Sequence, residues 1–516
     1  MGARPQWLLK YSVHNDMTPL DSSLESPAAT LMARQRQAPY RMVNWWLIAG
    51  DAAGLTLAWL LSFGLLWLVE DQSWRQGLIG WWSALGDKRI ALFAGLLLLA
   101  LLALGLRGHY SRRRPFSDEV LDIVKVFFVV VVLDAVFAYF TKWQFSRSWF
   151  ITAWLLAFVL VPLTRAAVKL VLIRTRLWQR PTVILGSGRN AREAAAALES
   201  ESLMGLEIIA FLALPNENSP EDTFEVKGKR ISVLPLGDNP EATLGKLGSP
   251  HLIVALEAES LLPHHGLLQR LSARYSDMSI IPPLRGLPLY GMEMTHFFSH
   301  EVLMLTVRNN LARPGPRFVK RLFDVVMSIA LLIILAPFLG FLAWKIRGTG
   351  GKAIFGHVRI GQHGKLFHCL KFRTMVPNAD KVLAEVLACN PEARKEWEKD
   401  FKLKNDPRIT PIGVFLRETS LDELPQLWNV LKGEMSLVGP RPIIEEELER
   451  YGDQIEYYLE APPGMTGLWQ ISGRNDTGYE DRVALDSWYA RNWSLWYDLV
   501  IMIKTVRVVL ARKGAY

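Results

Sequence analysis

Two adjacent carboxylates, Asp422 and Glu423, are the residues of this sequence best suited to chemistry. They lie in the stretch Thr-Ser-Leu-Asp-Glu-Leu-Pro-Gln at residues 419–426. Asp422 suits the N-cap of a helix, Pro425 is tolerated in its first turn, and Gly433 is a suitable stop. Taken alone, the pattern therefore favours a capped helix over a catalytic pair.

Cations flank this acidic pair in the sequence. Arg441 stands between two prolines in Val-Gly-Pro-Arg-Pro, which biases it to an extended backbone and orients the guanidinium for a phosphate. The other candidate substrate-binding residues are Lys371, Arg373, Arg408, Arg417 and Gln426. Cations around two carboxylates suggest a phosphorylated substrate, with Mg²⁺ held by Asp422, Glu423 and phosphate oxygens.

The composition indicates a membrane protein with substantial soluble parts. The chain has 516 residues, a net charge of +9, 19 tryptophans and 50% hydrophobic residues, which is too apolar for a purely soluble enzyme. Its two cysteines, Cys369 and Cys389, form neither a disulfide framework nor a zinc spacing, and they suit a reducing compartment. The basic residues cluster beside apolar segments, so anionic lipid explains them better than nucleic acid does.

The first third of the chain is predicted to cross the membrane. Residues 1–40 are polar without a signal sequence, and they are interpreted as a disordered cytoplasmic tail. Within residues 41–177, four apolar segments at 45–69, 90–106, 120–140 and 149–173 approach or exceed the roughly 20 residues that a bilayer core needs. Arginines between these segments place both ends of the four-helix transmembrane bundle in the cytoplasm.

The third apolar segment carries charged residues that have two interpretations. Asp122, Lys125 and Asp134 could mark a transport path. Pairing within the bundle, or a place near the interface, is the favoured interpretation, because no repeat or broken helix pair accompanies them.

Residues 178–311 have the pattern of a Rossmann-like α/β domain on the cytoplasmic side. A strand at 182–185 is followed by Gly-Ser-Gly at 186–188 and a helix to residue 200. Such glycines let backbone approach a pyrophosphate, yet the second strand runs into Leu214-Pro215-Asn216 with no acid for a ribose. A structural or regulatory module is therefore favoured over a cofactor site.

The remaining residues, 312–516, are predicted to form an α+β catalytic domain with a re-entrant membrane hairpin over about residues 318–347. The apolar segment 323–344 has basic residues on both sides, as a hairpin returning to the cytoplasmic face requires. Pro337 removes a backbone donor and is expected to break the helix there. The alternative is a kinked fifth span. Tryptophans and cations after residue 488 indicate interfacial helices, or helices packed on the catalytic core.

Several motifs together resemble one family, the large monotopic-type polyprenyl-phosphate phosphoglycosyl transferases. They are Lys-Arg-Leu-Phe-Asp at 320–324 and the stretches 371–375, 419–427, 438–442 and 463–474, and the resemblance covers residues 313–516. Segments 141–147, 184–192, 285–290 and 514–516 resemble the branch that transfers galactose phosphate to undecaprenyl phosphate. On this resemblance, Lys320, Arg321, Asp324 and Pro337 belong to the re-entrant helix, where small members have Ser in place of Ala336.

The resemblance implies an enzyme of the bacterial inner membrane with its catalytic domain on the cytoplasmic face. Asp422 would attack the β-phosphate of a UDP-sugar, release UMP and carry the phosphosugar to undecaprenyl phosphate, with Mg²⁺ as cofactor. Glu423 would bind the metal or take a proton, and Lys371, Arg417 and Arg441 would contact phosphates or nucleotide. The product would begin O-antigen, capsule or exopolysaccharide synthesis, and the family suggests a homodimer formed through the middle domain.

Three alternatives stay open at this point. The same reaction with UDP-glucose is the nearest, because no motif distinguishes the two epimers. A nicotinamide-dependent sugar nucleotide enzyme centred on residues 186–191 is the second. The third is a transporter or assembly scaffold that uses the four spans.

Overall fold

The computed structural model describes residues 40–69, 72–141, 146–215, 222–237, 239–248, 250–274, 278–296, 303–389, 394, 403, 406–472 and 478–510. Except for Tyr40, the expected disordered tail lies outside them, as do residues 142–145, 473–474 and 514–516 of the motifs.

The chain divides into two compact units, residues 1–283 and 284–516. The second unit begins before the predicted catalytic boundary at residue 312. Leu289 and Tyr290 donate backbone hydrogen bonds to Asn492 Oδ1, which joins them to the C-terminal part of the second unit.

The first unit begins with a bundle of four long helices, as predicted. They are α1 (Tyr40–Val69), α2 (Gln72–Leu106), α3 (Phe116–Thr141) and α4 (Arg147–Arg174). Within α1, α2 and α4, the segments Val43–Leu66, Lys88–Leu106 and Arg147–Arg174 are long and apolar enough to cross a membrane. Helix α3 has 26 residues and shares the same buried core, in which Leu104, Phe127 and Val161 are fully enclosed.

Charged side chains inside this bundle are paired with one another. Arg165 binds Asp51, and Lys169 Nζ lies 2.6 Å from Glu119 Oε2. Asp134, predicted either to line a path or to pair, lies 3.5 Å from Arg89 and accepts from Trp154 at 3.0 Å. Asp122 lies 3.1 Å from Arg114 and 3.8 Å from Lys125. The predicted pairing within the bundle is therefore confirmed.

A mixed six-stranded sheet completes the first unit and confirms the Rossmann-like prediction. The strands and helices in chain order are β1 (Arg180–Leu185), α5 (Arg189–Ser200), β2 (Leu206–Ala213), β3 (Thr223–Val226), β4 (Lys229–Pro235), α6 (Pro240–Lys246), β5 (His251–Val254), α7 (Ala258–Leu261), α8 (His265–Arg274) and β6 (Met278–Ile280). The spatial order is β3-β4-β2-β1-β5-β6, parallel except for the antiparallel pairing of β3 with β4. Buried residues on both faces, such as Val183 and Ile184, explain the continuous apolar strands.

The second unit is built on one long helix, α9 (Pro314–Arg347), which is also apolar and long enough to span a membrane. The predicted break at Pro337 is wrong, because the backbone stays helical through this residue; a proline inside a helix can bend it without ending it. Both ends of α9 pack on the core of the second unit, with Lys320 and Asp324 buried at one end and Ile346 at the other. The middle carries exposed apolar side chains, including Ile333 at 70% exposure.

Short elements surround the first half of α9 and form an α+β core. They are β7 (Glu293–His296), β8 (Leu303–Thr306), β9 (Ile354–Ile360), β10 (Leu366–Phe372), α10 (Ala379–Cys389), α11 (Pro411–Glu418), α12 (Gln426–Lys432), β11 (Ser436–Val438), α13 (Ile455–Glu460), β12 (Gly464–Thr466), α14 (Leu468–Ile471), α15 (Tyr479–Arg491) and α16 (Leu495–Leu510). Helix α16 buries Ile501 in this core and exposes Ile503 on another face. Core packing and an exposed apolar face therefore occur on the same helix.

Candidate active site

A single turn of 3₁₀ helix, Leu421–Glu423, carries the two carboxylates between α11 and α12. Ser420, just before it, has φ +55° in the left-handed region that non-glycine residues rarely adopt, and it redirects the chain out of α11. The predicted N-cap role of Asp422 is wrong. Residues Leu424 and Pro425 are already helical in conformation before α12, so the Asp422 side chain makes no cap. Gly433, at φ +88°, ends α12 as predicted.

The loop that presents Arg441 is positioned by a close backbone crossing between β11 and β12. Gly439 donates to Thr466 O at 2.9 Å, and Gly464 donates to Pro440 O at 2.8 Å. A Cβ on Gly439 would overlap the carbonyl oxygen of Pro462, so only glycine permits this approach. The side chain of Arg441, between the two prolines, therefore projects from a loop whose backbone is held in place.

The second unit contains a cavity of about 690 Å³, a size suited to a small-molecule substrate. Of the eight polar residues predicted for the site, Asp422, Glu423, Lys371, Arg373, Arg417, Gln426 and Arg441 line it. Arg408 does not line it. This residue is buried and its guanidinium binds Asp406, with Nη2 2.7 Å from Oδ2. Arg408 therefore stabilises the turn in which it lies and does not contribute its side chain to the cavity.

Lys371 lies between the two carboxylates. Its Nζ is 2.7 Å from Glu423 Oε1 and 3.8 Å from Asp422 Oδ2. Burial raises the pKa of Asp422 above its usual value, against the charge of Lys371, while Glu423 raises it further. Burial lowers the pKa of Lys371, but the charges on Glu423 and Asp422 outweigh this and keep the ammonium protonated. Arg417 stands beside them and donates from Nε to Thr374 Oγ1 at 3.0 Å.

Arg441 is the cation of the cavity most open to an anion. Its guanidinium lies 5.4 Å from the ring centre of Trp469, and it makes no ion pair with a carboxylate in the described part of the chain. Burial lowers the pKa of Arg441, and repulsion from the nearby charge of Arg482 lowers it further. A phosphate entering the cavity would relieve this repulsion.

A buried polar layer behind Arg441 holds its backbone. Asp486 is fully buried near the Arg441 backbone, and its Oδ2 accepts a hydrogen bond from the Tyr451 hydroxyl at 2.9 Å. Burial raises the pKa of Asp486 to about 7. Two residues further on, the Ile443 N–H donates to Tyr458 Oη at 3.1 Å. Sequence analysis missed Asp486, since a single acid in a helical segment is not distinguishable from a solvated charge.

The residues assigned to the membrane helix connect α9 to the site. Lys320 Nζ donates to Asp498 Oδ2 at 2.8 Å and to Val438 O at 3.0 Å, and Asp324 accepts the Leu437 N–H at 3.1 Å. Arg321 donates to Leu431 O at 2.6 Å, at the end of α12. At the other end of α9, Arg373 Nη2 donates to Ile346 O at 3.2 Å. Both ends of the apolar helix are therefore anchored beside the cavity.

A metal at this site would take few protein ligands. Among the described residues, no group of three or more His, Cys, Asp or Glu side chains could hold a metal ion. Asp422 and Glu423 are adjacent and both face the cavity. Two carboxylates fit Mg²⁺ when substrate phosphates and water supply its remaining ligands.

Comparison with known proteins assigns this site to a family. Residues 315–512 match the bacterial sugar transferase family. Over 411 residues the chain is 51% identical to the undecaprenyl-phosphate galactose phosphotransferase of Salmonella typhimurium, covering 79% of this chain and 84% of that protein. The chain belongs to the bacterial sugar transferase family. It is an enzyme, and the carboxylate cavity described above lies within the matched part of this sugar transferase.

Two further relatives differ in the sugar that their names give. The UDP-galactose-lipid carrier transferase of Erwinia amylovora is 48% identical, over 79% of this chain and 84% of that protein. The UDP-glucose:undecaprenyl-phosphate glucose-1-phosphate transferase of Klebsiella pneumoniae is 41% identical, over 38% of this chain and 41% of that protein. A second family, described as a CoA-binding domain, matches residues 105–235 of this sugar transferase.

Proposed function

We propose that this sugar transferase moves a hexose-1-phosphate, with galactose as the favoured sugar, from a UDP-sugar to undecaprenyl phosphate. The observation that carries the proposal is the placement of Asp422 and Glu423 in one cavity with Lys371, Arg417 and Arg441. A diphosphate needs such cations to approach a carboxylate. The Salmonella and Erwinia relatives, which match 79% of this chain and carry galactose in their names, support the choice of sugar.

Asp422 is the nucleophile of the first step. One of its carboxylate oxygens attacks the β-phosphorus of the UDP-sugar, and the bond from that phosphorus to the bridging oxygen breaks. The bridging oxygen and the electron pair leave with UMP, while the hexose phosphate stays on Asp422 as an acyl phosphate. Lys371, 3.8 Å from Asp422, and Arg417 hold the negative charge of the reacting phosphates.

Undecaprenyl phosphate completes the reaction. A phosphate oxygen of the lipid attacks the phosphorus of the acyl phosphate, the bond to Asp422 breaks, and the carboxylate is regenerated. The product is the undecaprenyl diphosphate sugar. Arg441 is open to an anion and stands on a rigid loop, so it is suited to orient one of the two phosphate substrates.

Mg²⁺ bound by Asp422 and Glu423 would neutralise the diphosphate charge when present. Lys371 already compensates these carboxylates, at 2.7 Å from Glu423, so it holds the acidic pair together before substrate enters. Glu423 then has two roles open to it, to bind the cation or to accept a proton.

The membrane helix α9 explains how a polar site meets a lipid. We propose that it dips into the inner leaflet and returns, so that Asp422 stays at headgroup height on the cytoplasmic face of the inner membrane. Burial of both helix ends against the same catalytic core supports this course. A homodimer formed through the middle domain remains a prediction.

The membrane course has a direct test. Single cysteines replacing Gly315 and Lys352, before and after the apolar part of α9, are placed in a chain with Cys369 and Cys389 changed to Ala. We expect both to react with a membrane-impermeant maleimide only in inverted vesicles. Labelling of the two positions from opposite faces would make α9 a fifth span and contradict the proposal.

The reaction is tested with the full chain in nanodiscs containing undecaprenyl phosphate and Mg²⁺. UDP-galactose and UDP-glucose are supplied in parallel, and UMP and the lipid-linked sugar are measured. We expect UMP and galactosyl diphospholipid in equal amounts. Release of UDP instead of UMP would contradict phosphosugar transfer, and a preference for UDP-glucose would replace galactose as the sugar.

A further inference from the structure

The sheet of the first unit has one position where a ligand crevice is expected. The chain passes from β1 to β2 on one side and later reaches β5 on the other side of β1. In parallel α/β sheets, nucleotides bind beyond the carboxyl ends of the strands where the order reverses in this way. Here the crevice lies after Leu185 and Val254, between the turn 186–188 and residues 255–257.

A carboxylate already occupies the anion position of this crevice. The backbone N–H of Asn190, in the first turn of α5, donates to Glu257 Oε1 at 2.6 Å. A Cβ placed on Gly188 would lie 2.7 Å from the same oxygen. Backbone N–H groups at this helix N-terminus are those that receive a pyrophosphate in dinucleotide-binding domains. The Glu257 carboxylate therefore stands where the phosphate would bind.

The surrounding contacts close the crevice further. The Asn190 side chain donates to Leu256 O at 3.1 Å and to Ile281 O at 2.9 Å, joining the helix to the ends of β5 and β6. Ser187 and Asn190 are each only 5% exposed. A pyrophosphate entering here would have to displace Glu257 or lie against its negative charge.

The ribose side of the crevice also lacks the expected polar group. Strand β2 ends at Ala213 and is followed by Leu214, an apolar side chain that is 2% exposed. A ribose-binding acid normally stands at this strand end. The residues present fit neither the diphosphate nor the ribose of a dinucleotide.

We infer that the middle domain of this sugar transferase binds neither CoA nor a nicotinamide dinucleotide in this crevice, and that Glu257 is a built-in anion that replaces the pyrophosphate. The carboxylate ties the end of β5 to the start of α5, so the domain keeps the fold of the CoA-binding family without its ligand. This inference is independent of the reaction proposed for Asp422.

The experiment is thermal unfolding of the full chain in nanodiscs, with and without inorganic phosphate, ADP or CoA at about 1 mM. Glu257→Ala removes the anion, and Glu259→Ala is the matched control two residues further on, in the first turn of α7, where the side chain is exposed. We expect Glu257→Ala to unfold about 2–4 °C lower, and phosphate or ADP to restore part of this loss. The unsubstituted chain and Glu259→Ala should not respond to any of the three ligands beyond an equal ionic strength of chloride.

Two outcomes would overturn the inference. One is saturable binding of CoA, ADP or a nicotinamide dinucleotide to the unsubstituted chain, with an affinity that the Glu257→Ala variant does not exceed. The other is a Glu257→Ala variant whose unfolding temperature equals that of the control and ignores phosphate. If Glu257→Ala does not fold, the same comparison is made with Glu257→Gln, which keeps an acceptor oxygen but not the charge.

Discussion

Lys371 lies between the two acidic residues of the cavity, with its ammonium 2.7 Å from Glu423 and 3.8 Å from Asp422. This single cation pairs with Glu423, and its charge opposes the increase that burial causes in the pKa of Asp422. The nucleophile can therefore be ionised before a substrate or a metal arrives. The first two predictions follow from this arrangement.

Replacing Asp422 with Asn should abolish turnover and leave the fold intact. The side chain caps no helix, so Asn removes only the nucleophilic oxygen and its charge. We expect the rate of UMP release to fall by at least about three orders of magnitude, with an unchanged unfolding temperature. Asp481→Asn, in the first turn of α15, is the control. Undiminished UMP release by Asp422→Asn would remove this residue from the mechanism.

Replacing Lys371 with Met should move the acid limb of the pH profile to higher pH. The lysine charge lowers the pKa of Asp422, so its loss raises that pKa beyond the increase that burial already causes. Activity requires the ionised carboxylate and is lost as pH falls through its pKa. The measurement is kcat/KM for the UDP-sugar against pH, with Lys432→Met as the control. An acid limb that stays in place would contradict the assignment.

Substitution of Arg441 should lower activity, whereas substitution of Arg408 should lower stability, although the sequence predicted that both residues bind substrate. Arg441→Ala removes a charged phosphate contact worth about 1.5–3 kcal/mol, so kcat/KM should fall roughly ten- to hundredfold. Arg408→Ala breaks a buried pair with Asp406, and Arg408 itself does not line the cavity, so this change should lower the unfolding temperature and spare KM. Equal effects of the two substitutions on KM would refute this division.

Replacing Asp486 with Asn should flatten the dependence of stability on pH. The pKa of Asp486 is about 7 in the folded protein because of burial, well above its ordinary value in the unfolded chain. The folded state therefore binds the proton more tightly, and this contribution to stability is lost as pH rises from about 4 to 7. Asn keeps an acceptor oxygen for the Tyr451 hydroxyl and does not titrate. Unfolding temperatures across this range should decline less in the variant, and an equal decline would contradict the prediction.

Replacing only one partner of the ion pair between Lys320 and Asp498 should strongly destabilise the fold. Both side chains are at most 3% exposed, so Lys320→Met leaves a buried carboxylate without its cation and should destabilise the fold by about 3–5 kcal/mol. The double variant Lys320→Met with Asp498→Asn removes the charge as well. It should recover part of the loss, measured by chemical unfolding in detergent. A double variant less stable than Lys320→Met would argue against this account.

The sequence by itself determined the class of the protein and most of its candidate site. Apolar length located four helices of the first unit and the helix α9, because a bilayer core sets a minimum length that composition reveals. Short continuous apolar runs and a glycine turn identified the α/β sheet. Seven of the eight predicted polar site residues line the cavity, because their motifs constrain both residue type and local backbone.

Only the tertiary structure decided how those residues are used. Asp422 turned out not to be a cap, since left-handed Ser420 changes the chain direction, and such a conformation has no signature in a serine. Arg408 pairs locally while Arg441 stays open, although both are arginines next to prolines. Asp486 and Glu257 act through contacts with residues 35 and 67 positions away in the chain. Such contacts depend on which surfaces meet after folding, so no local pattern specifies them.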